Sequence, residues 1–129
     1  MIRFILFIHR DSGSEGRVLE NAVRDRFQAV HREVCPDVAS LRKALTLPSP
    51  YGDLTAIVLL TETPERLEEL DQVFDHLEGK KLLLILPDME KSSFVAAFRM
   101  RPRYITQRSK TFSDVCDVLE KMLENHNRP

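Results

Sequence analysis

Apolar positions along this chain follow two alternating rhythms. Short, nearly continuous apolar runs give way to longer stretches in which apolar residues recur every three or four positions. Arg3 to Ile8 is the first continuous run, suited to a strand buried on both faces. After the polar turn Asp11-Ser12-Gly13-Ser14-Glu15-Gly16, the residues Val18, Leu19, Ala22, Val23, Phe27 and Val30 recur at helical spacing. Val30 to Val34 predicts a short strand whose polar centre, His31-Arg32-Glu33, suits a sheet edge. Pro36 and Asp37 introduce a second helix with Val38, Leu41, Ala44 and Leu45 on one face, closed by Pro48, Pro50 and Gly52.

The second half repeats the rhythm. Ala56 to Leu60 predicts a third strand, and Thr63-Pro64-Glu65 reads as an N-cap, a proline in the first helical turn and an acid facing the helix dipole. The helix that follows carries Leu67, Leu70, Val73, Phe74 and Leu77 and ends at Gly79. Leu82 to Leu86 is the fourth strand, and Phe94, Val95, Ala97 and Phe98 mark a fourth helix that closes before Pro102. Arg103 to Thr106 is a short, mixed fifth strand. Thr111 begins a last helix, with Asp114 placed for a capping box and Phe112, Val115, Cys116, Leu119, Met122 and Leu123 along its buried stripe.

Strands alternating with helices imply a parallel sheet covered on both faces, since each crossover is right-handed. Strands one, three and four are the most apolar and belong in the centre; two and five are polar enough for edges. The expected architecture is therefore an α/β fold: a three-layer α/β/α sandwich with a five-stranded parallel sheet of order 2-1-3-4-5, the flavodoxin-like arrangement. No linker or repeat interrupts it, so residues 1–124 are expected to form one domain, with 125–129 a flexible C-terminal tail.

Composition narrows the function classes. With 43% apolar and 30% charged residues the chain is an ordinary globular sequence, and its net charge of −1 supplies no global attraction to nucleic acid or membrane. The apolar run at the N-terminus is too short to span a bilayer and has no signal-peptide cleavage pattern. Cys35 and Cys116 show neither CxxC nor Cys/His spacing, which points to reduced thiols of a cytoplasmic protein and leaves too few ligands for structural zinc. No G-x-S-x-G elbow is present, and His31, His76 and His126 fall on expected edges, helix surfaces or the tail.

Ile5-Leu6-Phe7-Ile8, Arg42-Lys43-Ala44-Leu45, Ile57-Val58-Leu59-Leu60, and Tyr104-Ile105-Thr106 before a final helix together resemble the response-regulator receiver domains of bacterial signalling. In that family an aspartate ending the third strand accepts a phosphoryl group. An acidic pair after the first strand holds Mg²⁺; a Ser/Thr after the fourth strand and a Lys after the fifth bind the phosphoryl oxygens. Here His9 and Arg10 align with the acidic pair, Thr61 with the acceptor, Pro87 with the Ser/Thr and Gln107 with the lysine. A one-residue shift brings Asp11, Glu62 or Asp88 near the site, but it restores neither the acidic pair nor the lysine. The resemblance is thus to pseudo-receivers. It implies a non-catalytic signalling module without metal or other cofactor, acting on a protein partner or as a homodimer through helix four, strand five and helix five.

Two candidate regions follow. His9, Arg10, Asp11, Thr61, Glu62, Asp88 and Gln107 are expected at the carboxyl ends of the strands, where open parallel sheets bind ligands. They read either as an anion or ligand site completed by N–H groups of the Ser12–Gly16 turn, which would make the chain a small enzyme or binding domain, or as a solvated loop in which Arg10 pairs with Glu62 or Asp88. Mg²⁺ on Asp11, Glu62 and Asp88 would be opposed by Arg10. The second region is basic: Arg99, Arg101, Arg103, Arg108 and Lys110, around Tyr104, fall in a stretch without a single acid. It reads either as an interaction face for an acidic protein, an anionic ligand or nucleic acid, or as solvated arginines paired with Glu90, Asp114 and Asp117. Nucleic acid is disfavoured because only Tyr104 offers a stacking ring. The acidic third helix, with Glu65, Glu68, Glu69, Asp71, Asp75 and Glu78, reads either as a complementary surface or as a solvated helix face.

Overall fold

The computed structural model describes residues 2–48 and 53–127; Pro50 and Gly52, expected to end the second helix, and residues 128–129 of the tail lie outside them. The described residues form strands β1 (Ile2–Phe7), β2 (His31–Cys35), β3 (Leu54–Leu60), β4 (Lys81–Leu86) and β5 (Tyr104–Gln107), all parallel, in one sheet of order β2-β1-β3-β4-β5. Helices α1 (Gly13–Arg26), α2 (Val38–Thr46), α3 (Pro64–Glu69), α4 (Phe74–Leu77), α5 (Lys91–Arg99) and α6 (Ser113–His126) cover both faces. The result is the expected three-layer flavodoxin-like fold. No described helix is long and apolar enough to cross a membrane.

The continuous apolar runs of β1, β3 and β4 are explained by two cores, one on each face. Ile5, Phe7, Ile57, Leu59, Leu82 and Leu84 pack under α2, α3, α4 and α5. The alternate residues Phe4, Leu6, Ala56, Val58, Leu83 and Ile85 pack under α1 and α6. Each fully buried Leu, Ile or Phe contributes about 1.5–3 kcal/mol, so these central strands carry most of the driving force. The Phe4 and Phe27 rings meet edge-to-face with centroids 5.1 Å apart, tying β1 to the end of α1.

Helix starts follow the sequence signals in two cases and depart from them in a third. Asp37 accepts the Ser40 N–H at 2.7 Å and opens α2, and Thr63 Oγ1 accepts the Arg66 N–H at 3.1 Å and opens α3. The capping box expected at Thr111 and Asp114 does not form. Phe112 is wholly buried and sits at φ 54°, its N–H donating to Ser109 Oγ at 2.8 Å, while Asp114 turns to β5 instead. Burying the aromatic ring fixes this helix start where sequence favoured a polar cap.

The third helix also differs from its expected continuous form. Between α3 and α4 lies a 3₁₀ turn, Leu70–Val73, because Leu67, Leu70 and Val73 are spaced by three and all bury. A tighter winding keeps such positions on one line. The expected tail begins later than residue 125: Asn125 and His126 belong to α6, and the Asn127 N–H still donates to Leu123 O.

Gly16 fixes how closely α1 approaches the upper end of β1. A Cβ there would lie 2.5 Å from Ile8 Cγ2 and would also strike the Ser12 side chain, so any larger residue forces those side chains to shift.

Candidate functional site

The carboxyl ends of the strands form the upper edge of the sheet, where a receiver would carry its chemistry. The structure places the candidate residues there but engages most of them with one another's neighbours. Arg10 swings over β2 and pairs with Asp37 Oδ2 at 2.6 Å, not with Glu62 or Asp88. Bonds from Ser40 and from Arg10 hold the Asp37 carboxyl below the ordinary carboxylate range. His9 Nδ1 accepts the Asp11 N–H at 3.1 Å, which in the neutral ring leaves the proton on Nε2. The Asp11 carboxylate itself is exposed.

Thr61, which the receiver resemblance aligns with the phosphoacceptor, has no exposed surface. Its hydroxyl donates to Ile85 O at 2.6 Å, so the oxygen that would have to attack a phosphorus is inside the sheet. Asp88 accepts from Glu90 N–H at 3.0 Å and from Ser93 Oγ at 2.7 Å, serving as a cap for the approach to α5. Glu62 is held by Arg66 Nε at 2.7 Å, and its second oxygen is buried without a hydrogen-bond partner. Arg66 also grips Glu69 with Nη1, 3.0 and 2.9 Å from its two oxygens. Gln107 is exposed. Among the described residues, no three His, Cys, Asp or Glu side chains come together as a set able to hold a metal ion.

The basic stretch divides in two. β5 separates its ends by four residues, roughly 13 Å of extended chain. Above it, Arg108 Nε donates to both oxygens of Glu15 at 3.1 and 2.7 Å, crossing to α1. This corrects the pairing expected for Arg108: its partner is Glu15 and none of Glu90, Asp114 or Asp117. Asp117 is itself bound by Arg26, which also holds Glu120. Lys110 is exposed and free of ion pairs among the described residues.

Below β5, the Arg103 N–H donates to Leu82 O at 2.8 Å, and the exposed Arg101 and Arg103 side chains form no hydrogen bond or ion pair among the described residues. Arg99 lies 5.8 Å over the Phe74 ring, directed towards α4. Tyr104 donates to Asp114 Oδ2 at 3.0 Å beside Thr106 Oγ1, which donates to the same oxygen at 2.6 Å. Burial and that carboxylate push the Tyr104 phenol above its usual range.

Sequence reasoning missed an apolar flank beside these arginines. α5 buries its small residues, Ser93 and Ala97, against the sheet and turns larger ones outward: Val95 is 54% exposed and Phe98 63%, with Met89 just before the helix at 59%. Phe94 stacks on Phe98 with centroids 6.1 Å apart and lines a cavity of about 210 Å³ with Leu86, Met89, Ile105, Thr106 and Gln107. The available signal was residue size: a helix lying close on a sheet buries its small residues, so Ser93 and Ala97 marked the inner face.

Both thiols are buried. Burial, with Glu33 and Asp37 nearby, pushes Cys35 up to about 11, and burial also raises Cys116, so neither is a poised nucleophile at neutral pH. No protein-family model matches the chain, and neither does any curated protein or solved structure.

Proposed function

We propose that the protein is a non-catalytic, receiver-like signalling module that acts by protein–protein interaction and is not phosphorylated on aspartate. One observation carries the proposal: three of the large apolar side chains most exposed on the described surface, Met89, Val95 and Phe98, gather along α5 and its approach. Met89, with Phe94 of α5, lines a cavity shared with Ile105, Thr106 and Gln107 of the short edge strand β5. Clustered apolar exposure of this kind marks a docking surface more often than it arises by chance on a monomer.

The upper edge supports the same view from the opposite direction. An aspartyl-phosphate site needs an exposed acceptor, a metal-binding acidic pair and a cation for the phosphoryl oxygens. Here the acceptor position is a buried threonine, and Arg10 is bound to Asp37. The Arg108–Glu15 pair adds no free cation to replace the missing lysine. The rival expectation, an anion site around His9 and Arg10, draws no support from an arginine directed away from the other candidates.

The negative half of the proposal is tested by incubating the protein with acetyl phosphate and Mg²⁺ and weighing the intact chain. The expected spectrum contains the unmodified mass alone. A stoichiometric phosphoryl adduct would contradict the proposal.

A further inference from the structure

Because all five strands are parallel, their amino ends share one lower edge, opposite the upper edge described above. Two cavities open there. The first, about 190 Å³, is lined by Arg3 of β1, by Lys80 and Lys81 at the start of β4, and by Asp53 and Gly79. The second, about 110 Å³, is lined by Phe74, Glu78, Arg99 and Arg101, and again by Gly79. The shared glycine makes them neighbours. Gly79 has φ 77°, and a Cβ built on it would meet no atom within 4 Å, so nothing covers the chain on that side of the glycine.

Five cations thus line the two cavities beside two carboxylates, and none of the five forms an ion pair among the described residues. Arg3 donates one N–H to Ala44 O at 3.3 Å, and Arg99 lies over the Phe74 ring. Lys80, Lys81 and Arg101 make no side-chain hydrogen bond at all among the described residues, while Asp53 has a partner of its own. Elsewhere the fold neutralises arginines with its own acids: Arg10 with Asp37, Arg26 with Asp117 and Glu120, Arg66 with Glu62 and Glu69, and Arg108 with Glu15. The lower edge is left positive, and like charges gathered there repel one another.

We propose that this lower edge binds a small multivalent oxyanion, a polyphosphate or polycarboxylate, which lies across Gly79 and takes charge-assisted hydrogen bonds from Lys80 in one cavity and Arg101 in the other. The ligand carries more than one negative group because the free cations divide between two cavities. Guanidinium and ammonium donors both suit oxyanions, the first through its planar fork and the second as a point charge. Each cavity is smaller than the roughly 300–1,000 Å³ of a drug-sized ligand site, which fits a compact anion. The site is separate from the flank proposed to dock a protein, since neither cavity is lined by Met89, Val95 or Phe98.

The test is isothermal titration calorimetry of the full chain near physiological ionic strength, with tripolyphosphate and citrate as the probes. At least one should bind with Kd of about 100 µM or tighter, and at ten times its Kd it should raise Tm by about 4–6 °C. The tighter of the two identifies the source of the oxyanion, phosphate or carboxylate. Lys80→Ala and Arg101→Ala should each weaken that probe at least about fivefold, as expected for a charge-assisted hydrogen bond. Both residues are exposed, so the variants should melt within a few degrees of the parent. Lys121→Ala, which removes an exposed cation on α6, should bind like the parent.

No binding of either probe at millimolar concentration would overturn the proposal. So would Lys80→Ala and Arg101→Ala variants that bind like the parent, or an equal loss in Lys121→Ala, which would mean that overall charge and not this edge attracts the anion. A loss confined to one of the two alanine variants would overturn the placement across Gly79.

Discussion

Thr61→Asp puts an aspartate where the receiver resemblance would set the phosphoacceptor, and the structure predicts that it damages the protein. Thr61 has no exposed surface, and its hydroxyl proton lies on Ile85 O at 2.6 Å. A carboxylate at neutral pH has no proton to give, so it would face that carbonyl oxygen with like partial charge and lose the bond, worth about 1 kcal/mol. The guanidiniums of the upper edge, Arg10, Arg66 and Arg108, are already engaged by Asp37, Glu62, Glu69 and Glu15. An uncompensated buried charge then brings the cost to about 3–5 kcal/mol, or a fall in Tm of roughly 10–20 °C for a domain of this size.

The pH dependence has a definite sign. Burial raises the folded-state pKa of the introduced carboxyl above its unfolded value, so the destabilisation is small below the unfolded value near 3.9 and grows as pH rises through the folded one. Urea and thermal unfolding of parent and variant at several pH values measure it, with Thr61→Val as a control for the lost hydroxyl alone. A variant within a few degrees of the parent at pH 7, or one whose deficit is the same at pH 4.5, would refute the reasoning.

Gly16→Ala should cost about 1–3 kcal/mol in urea unfolding, because the new methyl meets Ile8 and Ser12 where α1 lies closest to β1. The carboxyl of Asp37, held below its ordinary value near 3.8, contributes stability that is present above that pH and lost as pH falls through the lowered folded value; the stability gap between parent and Asp37→Ala should therefore close in acid. Cys35, with its thiol pushed up to about 11 and its side chain buried, should react with an aromatic disulfide reagent at pH 8 only as fast as the fold opens, and at once in denaturant.

Much of the fold was legible because single segments carried it. The apolar runs of β1, β3 and β4 and the polar centre of β2 are local signals that fix which strands are central, and Asp37 and Thr63 cap their helices within three residues. What escaped depended on partners far along the chain. Arg108 meets Glu15 across ninety-three residues, and Asp114 is drawn to Tyr104 and Thr106 once β5 and α6 pack together. The α5 flank was obscured for a different reason. Phe94, Val95, Ala97 and Phe98 have helical spacing, but hydrophobicity alone does not say which side of a short helix faces the sheet; Ser93 and Ala97 take that side, Phe94 packs against its margin, and Val95 and Phe98 are left outside.

The central claim is that the α5–β5 flank docks a protein. Its most direct test places a photo-crosslinking amino acid at Val95 in the full chain, expressed in the native cells, with the same residue at Val18 on α1 as control. The account predicts a discrete crosslinked species from Val95 and little from Val18. Absence of any adduct at Val95, or an equal yield of the same adduct at Val18, would contradict it.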